Sequence, residues 1–338
     1  MSSGQDLAGQ VPPNPIPDHP RYTMVSYVNR GRHGFVLRAV DKLTGQEVAI
    51  KFLERSTGDS KYVSREILNQ YKLCHPHVIG LLDVFLTPRF LALVLEYANF
   101  GDLHSYVMSR RGLSEPEARW FFQQLMLAVD FCHQMGVVNR DIKLENTLLV
   151  GDTRPLIKIS DFGFSKDEHG QSAPTTRVGT VMYMAPEVVS NGPDAVYDAK
   201  KADVWSCGVV LYAMLTGKYP FKRDEDNALS KVQGIRAALQ RILRGEYTAP
   251  PNVSPECSDL LQGMLKPDPE HRFSVESILK HPWYKEGLSP GVEGYNQSVV
   301  SQALEQQSAD DPSLNRIKAV LTELEAQSHN WRRESLDE

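Results

Sequence analysis

Two hydrophobic rhythms divide the chain. From Tyr22 to about Leu95 the apolar residues fall in short β-branched and aliphatic runs at 34–40, 47–52, 81–86 and 91–96, with turn composition at 42–45. These runs predict strands. Val63, Ile67, Tyr71 and Cys74 recur at helical spacing between them, which predicts one helix over 61–74. From about Gly101 the period becomes helical. Ser114 and Glu117 have the spacing of a capping box, and Ala118, Phe121, Phe122, Leu125, Met126 and Val129 then form one broad apolar face ending at Gly136. The stretch 203–215 is apolar on all sides and stops at Gly217, which predicts a central buried helix. After Trp283 the residues 285–313 have the Gly, Ser, Gln and Asp content of a linker. Leu314, Ile317, Val320, Leu321 and Leu324 then share a stripe that predicts an amphipathic helix over about 313–327.

The pattern implies an α+β fold of two lobes, a small strand-rich one over 22–96 with one main helix and a larger helical one over 101–284. A cleft between such lobes is a common place for a ligand. Residues 1–21, polar and rich in proline from Pro12 to Pro20, read as a disordered leader, and 285–338 as a separate tail. At 338 residues the chain is long enough for this arrangement.

Composition narrows the chemistry. The 37 Lys and Arg against 42 Asp and Glu give a net charge of −5, which argues against a nucleic-acid-binding surface. The longest apolar run, 204–215, is too short to cross a bilayer, and the N-terminus lacks a secretory pattern and a glycine at position 2. The four cysteines, Cys74, Cys132, Cys207 and Cys257, form no C-x-x-C pair and fall in predicted helices, so they read as buried free thiols of a reducing interior, cytoplasm or nucleus.

The reactive groups lie in one short run. The sequence V-N-R-D-I-K-L-E-N-T-L at 138–148 supplies a carboxylate, an ammonium and an amide at Asp141, Lys143 and Asn146. Asp161-Phe162-Gly163 follows, and then Ala185-Pro186-Glu187. A proton acceptor, a phosphate clamp and two magnesium ligands, Asn146 and Asp161, are what phosphoryl transfer from ATP requires. Upstream, Gly31 and Gly34 in the loop 29–36 would let backbone approach phosphates closely, although Asn29 stands where a G-x-G-x-x-G loop has its first glycine. Lys51 ends Val48-Ala49-Ile50-Lys51, and Glu66 follows fifteen residues later on the predicted helix. An ion pair between them would present Lys51 to the α- and β-phosphates.

This ordered set, with Asp203-Val204-Trp205-Ser206, resembles a eukaryotic protein kinase domain over 22–284. Lys143 after Ile142, and Gly179-Thr180 ahead of Ala185, resemble the serine/threonine branch. The segments L-E-N-T-L-L, D-F-G-F-S-K, A-D-V-W-S-C-G-V and H-P-W are similar to the plant and algal sucrose-non-fermenting-related kinases, subfamily two, of the calcium/calmodulin-dependent kinase group. The resemblance implies transfer of the ATP γ-phosphoryl group, with Mg2+, to Ser or Thr of protein substrates in stress or nutrient signalling. It implies that Thr180 bridges Asp141 and Lys143. It makes Leu95 a gatekeeper, Glu96 and Ala98 an adenine-binding hinge, and Val36, Ala49 and Leu148 the walls around adenine, with Val28 and Asn29 at the edge of the pocket. Asp102 would meet ribose or a basic substrate residue, and Asp102 with Glu145 would favour substrates carrying arginine upstream of the target hydroxyl. Glu187 would pair with Arg272, and Asp203 would hold the backbone of the catalytic loop. Thr176, with Thr175 beside it, aligns with an activating phosphosite whose phosphate could pair with Arg140. That implies an upstream activating kinase and an opposing phosphatase. A monomer without nucleic-acid or membrane partners is expected. The tail helix would dock next to the Glu66 helix as a regulatory element.

Three residues depart from the family pattern: Asn139 in place of histidine, Gln70 four residues beyond Glu66, and Val181 in place of proline. Asn139, with Asn29 in the glycine-rich loop, leaves open an alternative, a pseudokinase or scaffold of the same shape.

Overall fold

The computed structural model describes residues 14–30, 34–55, 60–162, 181–191, 197–306 and 311–334. The strands are β1 (Tyr22–Arg30), β2 (Gly34–Asp41), β3 (Glu47–Glu54), β4 (Leu81–Leu86), β5 (Phe90–Glu96), β6 (Thr147–Val150) and β7 (Leu156–Ile159). The helices are α1 (Ser60–Tyr71), α2 (Leu103–Arg110), α3 (Glu115–Gln134), α4 (Pro186–Asn191), α5 (Ala199–Thr216), α6 (Lys231–Arg244), α7 (Pro255–Met264), α8 (Val275–Lys280), α9 (Pro282–Lys285), α10 (Tyr295–Gln306) and α11 (Pro312–Glu334). They divide into two compact units, Met1–Ser64 with Gly80–Tyr97 and Asp310–Glu338, and Arg65–Ile79 with Ala98–Ala309.

The first unit is an antiparallel five-stranded sheet in the order β1-β2-β3-β5-β4. Alternation sorts its faces. Phe35, Leu37 and Ala39 of β2 and Val48, Ile50 and Phe52 of β3 are buried on one side, where Phe35 stacks on Phe52 at 5.1 Å and Phe90 meets both edge-on. Val36, Ala49 and Lys51 occupy the other, half-buried side. Gly34 has a packing reason to be glycine, because a Cβ there would sit 1.7 Å from the Phe52 carbonyl oxygen.

Two expectations about the ends of the chain change. The leader packs from Asn14 onwards: Ile16 is buried in the sheet core, and the His19 ring lies 4.4 Å from Phe85, with its Nδ1 accepting the Arg21 and Tyr22 N–H groups. Residues 1–13 lie outside the described residues. The tail helix is longer than expected and lies along the edge strand β4, with Ile317, Leu321 and Leu324 buried. Asp83 of β4 ties these pieces together, accepting from Arg21 at 3.1 Å, Tyr22 Oη at 3.0 Å and Arg316 of α11 at 3.0 Å. Its burial demands such partners.

The second unit is built on α3 and α5. Every face of α5 is covered, Val204, Trp205, Cys207, Val209, Val210, Leu211, Ala213 and Met214 all being buried, as its unbroken apolar run predicts. Several local expectations fail for identifiable reasons. Ser114 is the N-cap of α3, but its hydroxyl makes no capping bond; Glu117 instead accepts from Tyr106 Oη at 2.8 Å, and Pro116 fixes the first turn. Helix α1 stops at Tyr71, and Cys74 is exposed beyond it, because Pro76 disfavours helical backbone just before it. The other three thiols are buried, and burial pushes Cys257 up to about 12, which makes it unreactive. The hairpin of β6 and β7 was not expected, since four-residue strands are too short to show a period. The linker reading is overturned at Tyr295–Gln306, which is helical. Asn296 is buried there, its Nδ2 donating to Leu127 O at 2.8 Å and to Asp130 at 2.7 Å.

The same asparagine meets His75, a buried ring stacked on Phe131. His75 Nδ1 accepts the His77 N–H, so the proton sits on Nε2 and is donated to Asn296 Oδ1 at 3.2 Å.

Two outcomes follow for stability. Leu321→Ala, which empties a buried site under α11, is expected to lower unfolding free energy by about 2–5 kcal/mol in urea titration. Burial lowers the His75 pKa from 6.5 to about 3, so the unfolded chain binds a proton that the folded one refuses and stability is lost as pH is lowered through 6.5 towards 3. From pH 7.5 to 5.5 this site should cost about 1.4 kcal/mol. Urea titrations of wild type and His75→Gln check it, and parallel pH profiles would refute it.

Candidate active site

In the second unit the site begins with a buried carboxylate. Asp203, on α5, accepts the Asn139 N–H at 3.1 Å, the Arg140 N–H at 2.9 Å and His133 Nε2 at 2.9 Å. It therefore holds the backbone of the loop as expected, and His133 is a partner that the sequence reading missed. Arg140 is left-handed, with φ 63°, and its side chain is exposed. Asn139 is buried, and its Oδ1 accepts the Asp141 N–H at 3.1 Å.

Asp141, Lys143 and Asn146 come together. Lys143 Nζ lies 2.6 Å from Asp141 Oδ2, and Asn146 Nδ2 donates to the same oxygen at 2.8 Å and to the Asp141 carbonyl at 3.0 Å. Apolar Ile142 and Leu144 are buried between them and anchor the loop in the core. Asn146 ends a short 3-10 turn, Leu144–Asn146, and its carbonyl accepts both the N–H and the hydroxyl of Ser160 at 2.9 and 2.8 Å. That pair of bonds brings the next residue, Asp161, to the loop. Asp161 is also left-handed, at φ 61°, and Phe162 after it is buried. Of the four non-glycine residues with positive φ among the described residues, two thus lie here, and such strain collects where geometry serves chemistry.

Among the described residues no cluster of three His, Cys, Asp or Glu side chains could by itself hold a metal. Magnesium does not need one, because it uses one or two protein oxygens and completes its shell with water and phosphate. Asn146 turns its amide nitrogen to Asp141, and among the described residues its Oδ1 accepts no hydrogen bond. With the Asp161 carboxylate it offers two hard oxygens, a donor set that fits the ion.

Around this centre, Leu148 of β6 pairs with Lys158 and bridges to Asp102, and Ala98 is half-buried. The Asp102 carboxylate caps α2, accepting the Ser105 N–H at 2.7 Å and the Ser105 hydroxyl at 3.0 Å. Glu145 takes hydrogen bonds from Tyr183 at 3.1 Å and Tyr219 at 3.4 Å. Burial, followed by Glu145, raises the Tyr183 phenol and keeps it a donor. Glu187 of α4 is gripped bidentately by the fully buried Arg272 guanidinium at 2.7 and 2.8 Å. Burial raises the Glu66 carboxyl against the pull of Arg140 and Arg65.

In the first unit, register assembles one surface of the sheet. Val36 faces Lys51 across β2 and β3, and Ala49 faces Leu95 across β3 and β5. Glu96 gives its N–H to Gly80 O and receives the Gly80 N–H on its carboxylate, both at 3.0 Å. Val28 is exposed beside an irregularity of β1, and Asn29 pairs with Val36. Gly31, Gly163, Thr175, Thr176 and Thr180 lie outside the described residues. Tyr183, Tyr219 and Ser160 carry no local sequence signal, because their roles depend on contacts between separate segments.

Comparison with known proteins agrees with this geometry. Residues 22–284 match the family described as protein kinase domain. The serine/threonine-protein kinase SAPK9 of Oryza sativa subsp. japonica is 40% identical over 308 residues, covering 90% of this chain and 82% of its own. Serine/threonine-protein kinase SRK2I of Arabidopsis thaliana matches to the same extent, and SRK2C of the same plant is 42% identical over 293 residues, 86% of this chain and 82% of its own. Nothing in these matches favours the scaffold alternative. The chain belongs to the protein kinase family and is a serine/threonine-protein kinase similar to these plant enzymes.

Proposed function

We propose that the reaction runs at the Asp141 carboxylate, which takes the proton of a substrate Ser or Thr hydroxyl as its oxygen attacks the γ-phosphorus of ATP. The observation that carries this is the fixed carboxylate, with one oxygen bonded at once to Lys143 at 2.6 Å and Asn146 at 2.8 Å. These bonds leave the other oxygen for the incoming hydroxyl. Lys143 is placed to neutralise charge growing on the transferred group. Asn146 and Asp161 would hold Mg2+, which when bound neutralises the ATP phosphates. Lys51 is assigned to the α- and β-phosphates with Glu66 as its partner, and Thr180 to the bridge between Asp141 and Lys143. Val28, Asn29, Gly31, Gly34, Val36, Ala49, Leu95, Glu96, Ala98 and Leu148 are assigned to the nucleotide pocket. Asp102 serves first as a helix cap, so its use toward ribose would share a carboxylate already bonded.

The domain assignment proposed is a kinase domain over 22–284 followed by a regulatory tail. Thr176, or Thr175, is its activating phosphosite, set by an upstream kinase and reversed by a phosphatase. Stress or nutrient signalling in cytoplasm or nucleus, as a monomer, is the setting proposed from the resemblance. Among the described residues no helix is long and apolar enough to cross a membrane.

Phosphate transfer from radiolabelled ATP to a Ser/Thr peptide tests the assignment. Asp141→Asn should lower kcat by about 10²- to 10⁴-fold, the usual worth of a positioned base. Asp161→Ala should fall to background, and Thr176→Ala should lose stimulation by an upstream kinase. Wild-type rates in the Asp141→Asn protein would remove the base from that residue.

A further inference from the structure

Three consecutive backbone N–H groups lead into the base, and their partners differ in kind. Those of Asn139 and Arg140 go to the Asp203 carboxylate, at 3.1 and 2.9 Å. The third, on Asp141 itself, goes to Asn139 Oδ1 at 3.1 Å. A side-chain oxygen accepting the N–H two residues on is an Asx turn, and the residue it spans here is the left-handed Arg140, φ 63°. An arginine gains no steric relief in that region, so the turn must be held from outside.

We propose that Asn139 is a positioning residue for phosphoryl transfer: its Oδ1 closes the turn that holds Arg140 left-handed and fixes the backbone from which the Asp141 carboxylate projects. The inference rests on the reading of Asp141 as the base. The Oδ1 assignment is forced, since an amide nitrogen cannot accept the Asp141 N–H. It also has a consequence: Asn139 is 3% exposed, and its Nδ2, turned the other way, is buried without a hydrogen-bond partner among the described residues. Burying an unpaired donor lowers stability, so packing alone gives no reason for an amide here. The reason lies on its oxygen, which serves the reactive loop. A hydroxyl can accept the same N–H, more weakly, in an ST turn, so serine keeps the proposed function and drops the orphan donor, while alanine drops both.

The experiment compares full-length wild type, Asn139→Ala, Asn139→Ser and Asp141→Asn by kcat, KM for ATP and Tm. Asn139→Ala should lose about tenfold in kcat, the scale of one hydrogen bond acting only on the reacting geometry, with KM for ATP unchanged and Tm unchanged or raised. Asn139→Ser should recover most of the lost kcat. An alanine variant as fast as wild type, a serine variant as slow as alanine, or a Tm that falls in step with kcat each overturns the proposal, the last by making the residue structural. The control separates the two ideas: an inactive Asp141→Asn beside a fully active Asn139→Ala defeats only this inference, whereas a fully active Asp141→Asn defeats the assignment of the base.

Discussion

A carboxylate that is 2% exposed, inside a helix covered on every side, is a demand on the rest of the molecule. Asp203 is too deeply buried for bulk solvent to stabilise it, and a carboxylate left unpaired at such depth is prohibitively costly. It must be met by donors, and His133 from α3 and two successive backbone N–H groups meet it. Backbone donors constrain more than side chains do. Two of them in a row on one carboxylate fix the path of the chain into Asn139 and Arg140, where the left-handed turn closed by Asn139 Oδ1 begins. The site is therefore positioned from the core outward: α5 holds Asp203, Asp203 holds the loop, and the loop presents Asp141 to Lys143 and Asn146.

The same logic recurs in the first unit with Asp83. This buried carboxylate on an edge strand gathers Arg21 and Tyr22 from the start of the chain and Arg316 from the end. An edge strand exposes unpaired backbone and invites association with other strands. Here α11 covers it, so the tail completes the sheet's apolar packing and also ties the termini together through one charge. Undocking α11 would expose Ile317, Leu321 and Leu324 together with the surface of β4 that they cover, and would leave Asp83 one cation fewer.

What could be read from the sequence was whatever is encoded locally. The runs that became β2, β3, β4 and β5 are dense in β-branched and aliphatic residues, and α3 and α5 carry long apolar patterns, so element type was evident there. The reactive segment was legible because Asp141, Lys143 and Asn146 lie within six residues and meet through a tight loop. Elements set by distant partners were not. Tyr295–Gln306 has the composition of a linker, and is helical where Asn296 finds His75, Leu127 and Asp130. Ser114 and Glu117 have the spacing of a capping box, yet Tyr106 claims the glutamate. Local rules name the groups that can bond, and tertiary contacts decide among them.

That competition also bears on how departures from a family pattern should be understood. Asn139 and Gln70 are both buried polar side chains, at 3% and 2% exposure, and each keeps one atom, Nδ2 and Oε1, without a partner among the described residues. Judged by packing alone, both are defects. Judged by the bonds they make, they differ: Asn139 has an oxygen engaged on the reactive loop. A polar substitution in a core is tolerated when one of its atoms does something that an apolar group cannot, and the orphaned atom is the residual cost of that bond. Asn139 meets this condition at the residue that leads into the proposed base.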